Sequence, residues 1–134
     1  MTRIGLVTLL VEDYDAAIEF FVDALGFELV EDSPGTTDDG RPKRWVVVRP
    51  ARGGTGLLLA RADGADQRAR VGDQAGGRVG FFLEVDDFED RFARMQRAGV
   101  EFLETPRAEP YATVAVFRDL AGNRWDLLGP PTGA

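Results

Sequence analysis

Two carboxylates and a phenol carry most of the chemistry this chain can do unaided. Glu84 stands near the end of the apolar run Val79–Val85, Asp126 lies within Arg124–Leu128, and Tyr111 directly follows Pro110 in a loop of the second half. A carboxylate pair such as Glu84 and Asp126 can work as acid and base or form an acidic mouth, and a phenolic hydroxyl can donate a proton. These groups matter because the 134 residues include no histidine and no cysteine. That removes the imidazole base, the thiolate nucleophile, and nitrogen and sulfur ligands for a metal. Catalysis would have to use carboxylates, Tyr, Lys, Arg, hydroxyls or an outside cofactor.

The elements that position these groups come from an internal repeat. Ile4–Phe27 and Arg78–Val100 share a plan: an apolar run ending in valine (Val11, Val85), an aspartate two residues on (Asp13, Asp87), an aromatic (Tyr14, Phe88), then a helical pattern stopped by glycine (Gly26, Gly99). Repeats of this kind decide the fold before any single element does. Strands are expected at 4–11, 27–31, 44–49 and 56–60, and again at 79–85, 101–104, 112–117 and 124–128. Asp13 and Asp87 are placed as N-caps, Asp87 with Asp90 as its capping-box partner. Ile18, Phe21, Val22 and Leu25 should form one helical stripe, and Phe88, Phe92, Met95 and Ala98 the other. Asp39-Gly40 signals a hairpin. The polar stretch 62–77 reads as a connector, and Arg68, Arg70 and Arg78 as solvated charges. The result is an α+β domain of two βαβββ modules, 1–61 and 78–134, joined by that connector.

Strand alternation assigns faces. Val7, Leu9, Val11, Phe81, Leu83 and Val85 should face the helices; Leu6, Thr8, Leu10, Gly80, Phe82 and Glu84 should face the other way and, if the two curved mixed sheets face each other, line a cleft. Asp126 points with Arg124 and Leu128. It either looks into that cleft or pairs with Arg124 or a turn amide. Glu84 either marks a wet cavity or a bound cationic group, or reaches solvent at its strand end. Among the aromatics Trp45, Phe82, Tyr111, Phe117 and Trp125, the alternation favours Phe82 for a planar ligand, followed by Trp45 and Tyr111 near loops. The aspartates before the helices are better explained as caps than as metal ligands, and Gly76-Gly77 as a turn rather than a phosphate cradle, since no helix follows it directly.

The duplicated unit resembles the vicinal oxygen chelate superfamily, which includes glyoxalase I, extradiol dioxygenases and bleomycin-resistance proteins. LLVEDYDAAIEFFVDALGFEL, GGRVGFFLEVDDF, RAGVEFLETPR and VAVFRDLAGNRWDLL carry the likeness. It implies a glyoxalase/bleomycin-resistance/dihydroxybiphenyl-dioxygenase-like fold. Metal-using members place one ligand on the first and last strand of each module, and the resemblance maps these positions to Leu6, Leu58, Gly80 and Asp126. Only Asp126 has a donor, whereas a catalytic metal needs about three protein ligands. The expectation is therefore a metal-free cleft with no cofactor, binding a small organic molecule that is aromatic or amphipathic and possibly cationic. Leu6, Thr8, Trp45, Leu58, Gly80, Phe82, Glu84, Tyr111, Arg124 and Asp126 are the expected contacts. The alternative is a lyase, isomerase or dioxygenase using a divalent metal at a degenerate site, or metal-free acid/base catalysis by Glu84, Asp126 or Tyr111. A homodimer is what the resemblance implies.

Composition limits the partners. A formal charge of −7 argues against nucleic acid, whose phosphates call for a basic footprint. No apolar run is long enough to cross a bilayer, and the first residues lack the apolar core of a signal peptide. The expected location is the cytoplasm.

Overall fold

In a computed structural model, which describes residues 1–132, the chain divides into two compact units, Met1–Val71 and one beginning at Gly72. The first unit contains β1 (Leu6–Val11), α1 (Tyr14–Glu19), a π-helical turn (Phe20–Ala24), β2 (Glu28–Thr36), β3 (Pro42–Arg49), β4 (Gly56–Arg61) and α2 (Ala65–Arg70). The second contains β5 (Val79–Glu84), α3 (Phe88–Arg97), β6 (Arg107–Ala108), β7 (Thr113–Arg118) and β8 (Arg124–Gly129). Each unit holds one four-stranded mixed sheet, ordered β1-β4-β3-β2 and β5-β8-β7-β6. In each, the first strand runs parallel to the last and the remaining pairs are antiparallel. The α+β class and the duplicated unit are as the sequence implies. No helix among the described residues is long and apolar enough to cross a membrane.

Burial follows the alternation. Leu9, Val11, Val46, Val48, Leu57 and Leu59 are buried on the face that receives α1, and Leu83, Trp125, Leu127 and Phe117 on the corresponding face of the second sheet. An aromatic series runs through that second core: Phe88, Phe92, Phe102, Phe117, Trp125 and Phe81 touch in turn, the last pair stacked at 4.5 Å. Phe117 and Trp125 are thus core residues, not ligand contacts.

Several expectations are corrected. The stripe Ile18, Phe21, Val22, Leu25 is displaced: Tyr14, Ala17, Phe21, Ala24 and Leu25 are the buried positions, with Ile18 and Val22 only half-buried. The buried set keeps ordinary three- and four-residue spacing from Tyr14, and the helix closes in a π-turn where Leu25 N donates to Phe20 O at 3.1 Å. Ala98 is exposed, because α3 ends at Arg97. Asp13 caps as expected, accepting from Ala16 N at 2.7 Å in extended backbone (φ −141°, ψ 129°). Asp87 makes no side-chain cap bond; its ψ of 60° takes it out of the extended geometry that aims an N-cap oxygen at the first turn.

The strand at 101–104 is replaced by an isolated bridge, Phe102 with Phe117, followed by the short β6. Here the Glu104 carboxylate accepts from Val116 N at 3.0 Å, taking the place a backbone carbonyl would hold in a continued ladder. β2 runs beyond 31 to Thr36, because as an edge strand it tolerates Pro34. The connector contains a helix, α2, whose Gln67 side chain accepts from Asp63 N at 2.8 Å. None of its residues is buried, so no apolar period announced it.

Candidate functional site

In the second unit β8 brings Asp126 into register with Phe82 of β5 and Val116 of β7, on the face turned away from α3. Phe82 is 61% exposed. Asp126 Oδ1 is buried and has no hydrogen-bond partner, so a strong acceptor stands desolvated and unused. Burial pushes the Asp126 carboxyl above its ordinary value; Arg107 opposes the rise and Glu104 adds to it. The alternative pairing with Arg124 or a turn amide is not found at that oxygen.

Arg107, which the sequence reading left out, organises the surroundings. Its Nε donates to both Glu104 oxygens at 3.2 Å and its Nη1 to Glu109 Oε1 at 2.7 Å. Contacts with Glu109, Tyr111 and Glu104 raise the pKa of the guanidinium further, so it stays charged. Tyr111 projects from the tight turn closed by Glu109 and Ala112, 67% exposed. Asp126, Phe82 and Tyr111 are therefore joined, through Arg107 and Glu104, into one polar and aromatic patch. The only signal that could have pointed to this was the density of charge in Glu104, Arg107 and Glu109 around a proline-bounded loop.

The other expected residues fall elsewhere. Glu84 is exposed and in register with Leu128, two residues along the strand from the Phe82–Asp126 pair, with no ion pair of its own among the described residues. Arg124 is exposed at the start of β8, in register with Val79. Gly80 falls in a register shift between Val79 and Phe81. It does not open a roomy wall, since a Cβ there would lie 3.1 Å from the Ala75 side chain. Asp126 is in register with Phe82 as Leu58 is with Thr8, so in each module the residue beside the last-strand position lies two residues beyond the first-strand position the resemblance gave.

In the first unit Leu6 lies beside Gly56 and Thr8 beside Leu58. Leu58 and Trp45 border a groove of about 880 Å³ that also meets Tyr14, Lys43, Arg44 and Arg61. The Arg44 and Arg61 guanidinium groups lie 5.1 and 5.2 Å from the Tyr14 ring centre. Arg44 is also paired with Asp15 and Asp32, and Arg41 with Asp39 and Asp63. These contacts raise both arginine pKa values and lower those of Asp32, Asp39 and Asp63.

The donor chemistry does not fit a divalent ion held by several side chains. Of Leu6, Leu58, Gly80 and Asp126 only Asp126 has a donor atom, and among the described residues no group of three or more carboxylates is placed to hold a metal.

Comparison with known proteins points the same way for the fold. The family model of the Glyoxalase/Bleomycin resistance protein/Dioxygenase superfamily matches residues 3–127. An uncharacterised protein of Shewanella frigidimarina (strain NCIMB 400) is 50% identical over 123 residues, covering 91% of this chain and 89% of that protein. The crystal structure of TnmS3, an antibiotic binding protein from Streptomyces sp. CB03234, is 30% identical with a TM-score of 0.75, covering 97% of each chain. A glyoxalase/bleomycin resistance protein from the same Streptomyces is also 30% identical, with a TM-score of 0.70, covering 94% of this chain and 99% of its own.

Proposed function

The chain belongs to the Glyoxalase/Bleomycin resistance protein/Dioxygenase superfamily, and from that premise we propose that it binds a small aromatic molecule bearing a cationic or hydrogen-bond-donating group, without a metal. The observation that supports this is the unpartnered Asp126 oxygen in register with the exposed Phe82. A buried carboxylate oxygen without a partner is costly. A ligand N–H or ammonium would relieve that cost while its ring covers Phe82 and Tyr111. Similarity to an antibiotic binding protein supports a small-molecule ligand. Glu104 and Arg107 would act as positioning residues, holding the patch and limiting its net charge. Glu84 and Arg124, on the same sheet as Asp126, remain proposed contacts of this reading. It also has the protein acting in the cytoplasm as a homodimer, the commonest symmetric assembly.

The test is titration calorimetry with a panel of planar aromatic amines and their uncharged analogues. The amines should bind, and Asp126→Asn should weaken them about tenfold, the worth of a charge-assisted hydrogen bond. Binding of the amines should strengthen as pH rises through the elevated Asp126 pKa, because only the carboxylate attracts a cation. Equal binding of amine and analogue, with no effect of Asp126→Asn, would sink the reading. A divalent ion retained in stoichiometric amount after dialysis would favour the metal-using alternative.

A further inference from the structure

We propose that the groove of the first module is a separate binding site for a planar aromatic anion, a carboxylate or sulfonate on a flat ring system, recognised by Lys43 and Trp45. The groove, at about 880 Å³, is large enough for a drug-sized molecule. Lys43 and Trp45 are two residues apart on β3 and share a face, so the ammonium and the indole are presented together. Trp45 is 44% exposed, and Leu58, Ala60 and Ala62 extend the apolar lining. Lys43 lies along Gly35, its Cγ 3.8 Å from where a Cβ would stand. A side chain at that position would compete for the space the lysine stem uses.

The charges around the groove separate into committed and uncommitted groups. Arg41 is held by Asp39 and Asp63, and Arg44 by Asp15 and Asp32. Lys43 and Arg61 have no carboxylate within ion-pair distance among the described residues, and Arg61 rests on the Tyr14 ring. Of the lining carboxylates, Asp39 and Asp63 are neutralised by Arg41; Glu12 at the end of β1 and Asp38 at the hairpin tip are the two left to oppose an anion. Neither is on β3 beside the indole. An anion lying over Trp45 therefore meets Lys43 first.

The site involves first-module residues alone and does not rest on the role proposed for Asp126. It is tested on the full chain with two fluorescent probes, 8-anilinonaphthalene-1-sulfonate and N-phenyl-1-naphthylamine, which have the same rings with and without the anion. Binding is followed by the rise in each probe's own emission, and the Lys43 and Trp45 variants assign it to this groove. The sulfonate should bind more tightly than the amine. Lys43→Met and Lys43→Gln should each weaken it about tenfold and leave the uncharged probe unchanged. Trp45→Leu should weaken both probes, and Arg97→Met neither. Melting curves of the variants confirm that each is folded. Equal affinity for the two probes, or sulfonate binding unchanged in both Lys43 variants, would overturn the proposal.

Discussion

The two modules share a topology and spend their polar groups in opposite ways. In the first, Arg41 and Arg44 each bridge two aspartates, and the groups left over among the described residues are cationic, Lys43 without a carboxylate in ion-pair distance and Arg49 Nε buried without a hydrogen bond. In the second, Asp126 is left with an unpartnered oxygen among charges that satisfy one another. The first module's aspartates are pulled below the ordinary carboxyl pKa, and Asp126 is pushed above it. A duplicated framework thus leaves its surface chemistry free to diverge, because the repeat is maintained by apolar alternation and glycine stops while the polar positions answer to their neighbours.

Substitutions can break or sharpen this contrast, beginning with the largest effect. Asp119→Ala is expected to cost at least about 3 kcal/mol in a urea titration. Asp119 accepts from Ala121 N, Gly122 N, Asn123 N, Asn123 Nδ2 and Trp125 Nε1, each at 3.0 Å, and several of these donors would be left buried. In the first module's turn before β4, Gly53 N donates to Pro50 O and Thr55 Oγ1 to Ile4 O, so the acceptors are backbone carbonyls and nothing there should be as sensitive to loss of one carboxylate.

Next come the glycines of the two last strands. Gly129→Ala places a Cβ 2.5 Å from Phe88 Cβ and should destabilise by about 2 kcal/mol on thermal melting. Gly56→Ala meets the tip of Leu6 at 2.9 Å, which can move, and should cost under about 1 kcal/mol. Similar losses at both sites would remove the claimed difference in packing.

The helix caps give a smaller and cleaner test. Asp13→Ala should cost about 1 kcal/mol, since it removes a formed cap bond. Asp87→Ala should cost only a few tenths, from the helix dipole alone.

Smallest is Asp126→Asn, expected to raise stability at neutral pH by roughly 1 kcal/mol or less. A carboxyl whose pKa is raised on folding stabilises the folded state fully below its unfolded value, near 3.8, and loses that contribution as pH rises through the folded value. The gain from Asn should therefore be present at pH 7 and fade below about pH 3.8. Asp32, Asp39 and Asp63 have the opposite sign: their contribution holds above 3.8 and is lost as pH falls. Stability curves of wild type and Asp126→Asn across pH 3–7 would show whether the two modules oppose each other in this way.

Most of the framework was legible because burial writes itself into local period. Leu9 and Val11, or Trp125 and Leu127, alternate with residues of the other face, and that suffices to give strand, face and repeat. Legibility failed where no period existed or where a local period was interrupted. Helix α2 buries nothing, the first helix buries Tyr14 and Ala17 where larger apolar neighbours suggested Ile18, and the shift at Gly80 slides β5 against β8.

The sequence by itself determined the duplicated α+β plan, the Asp13 cap, the exclusion of thiol and imidazole chemistry, and the prominence of Asp126, Phe82 and Tyr111. Tertiary structure alone decided that Arg107 and Glu104 join those three, and that Lys43 and Trp45 border a groove. Alternation fixes which way a side chain points but carries no information about what stands across from it. That depends on register between strands far apart in the chain, where one inserted residue or one carboxylate replacing a carbonyl changes every neighbour.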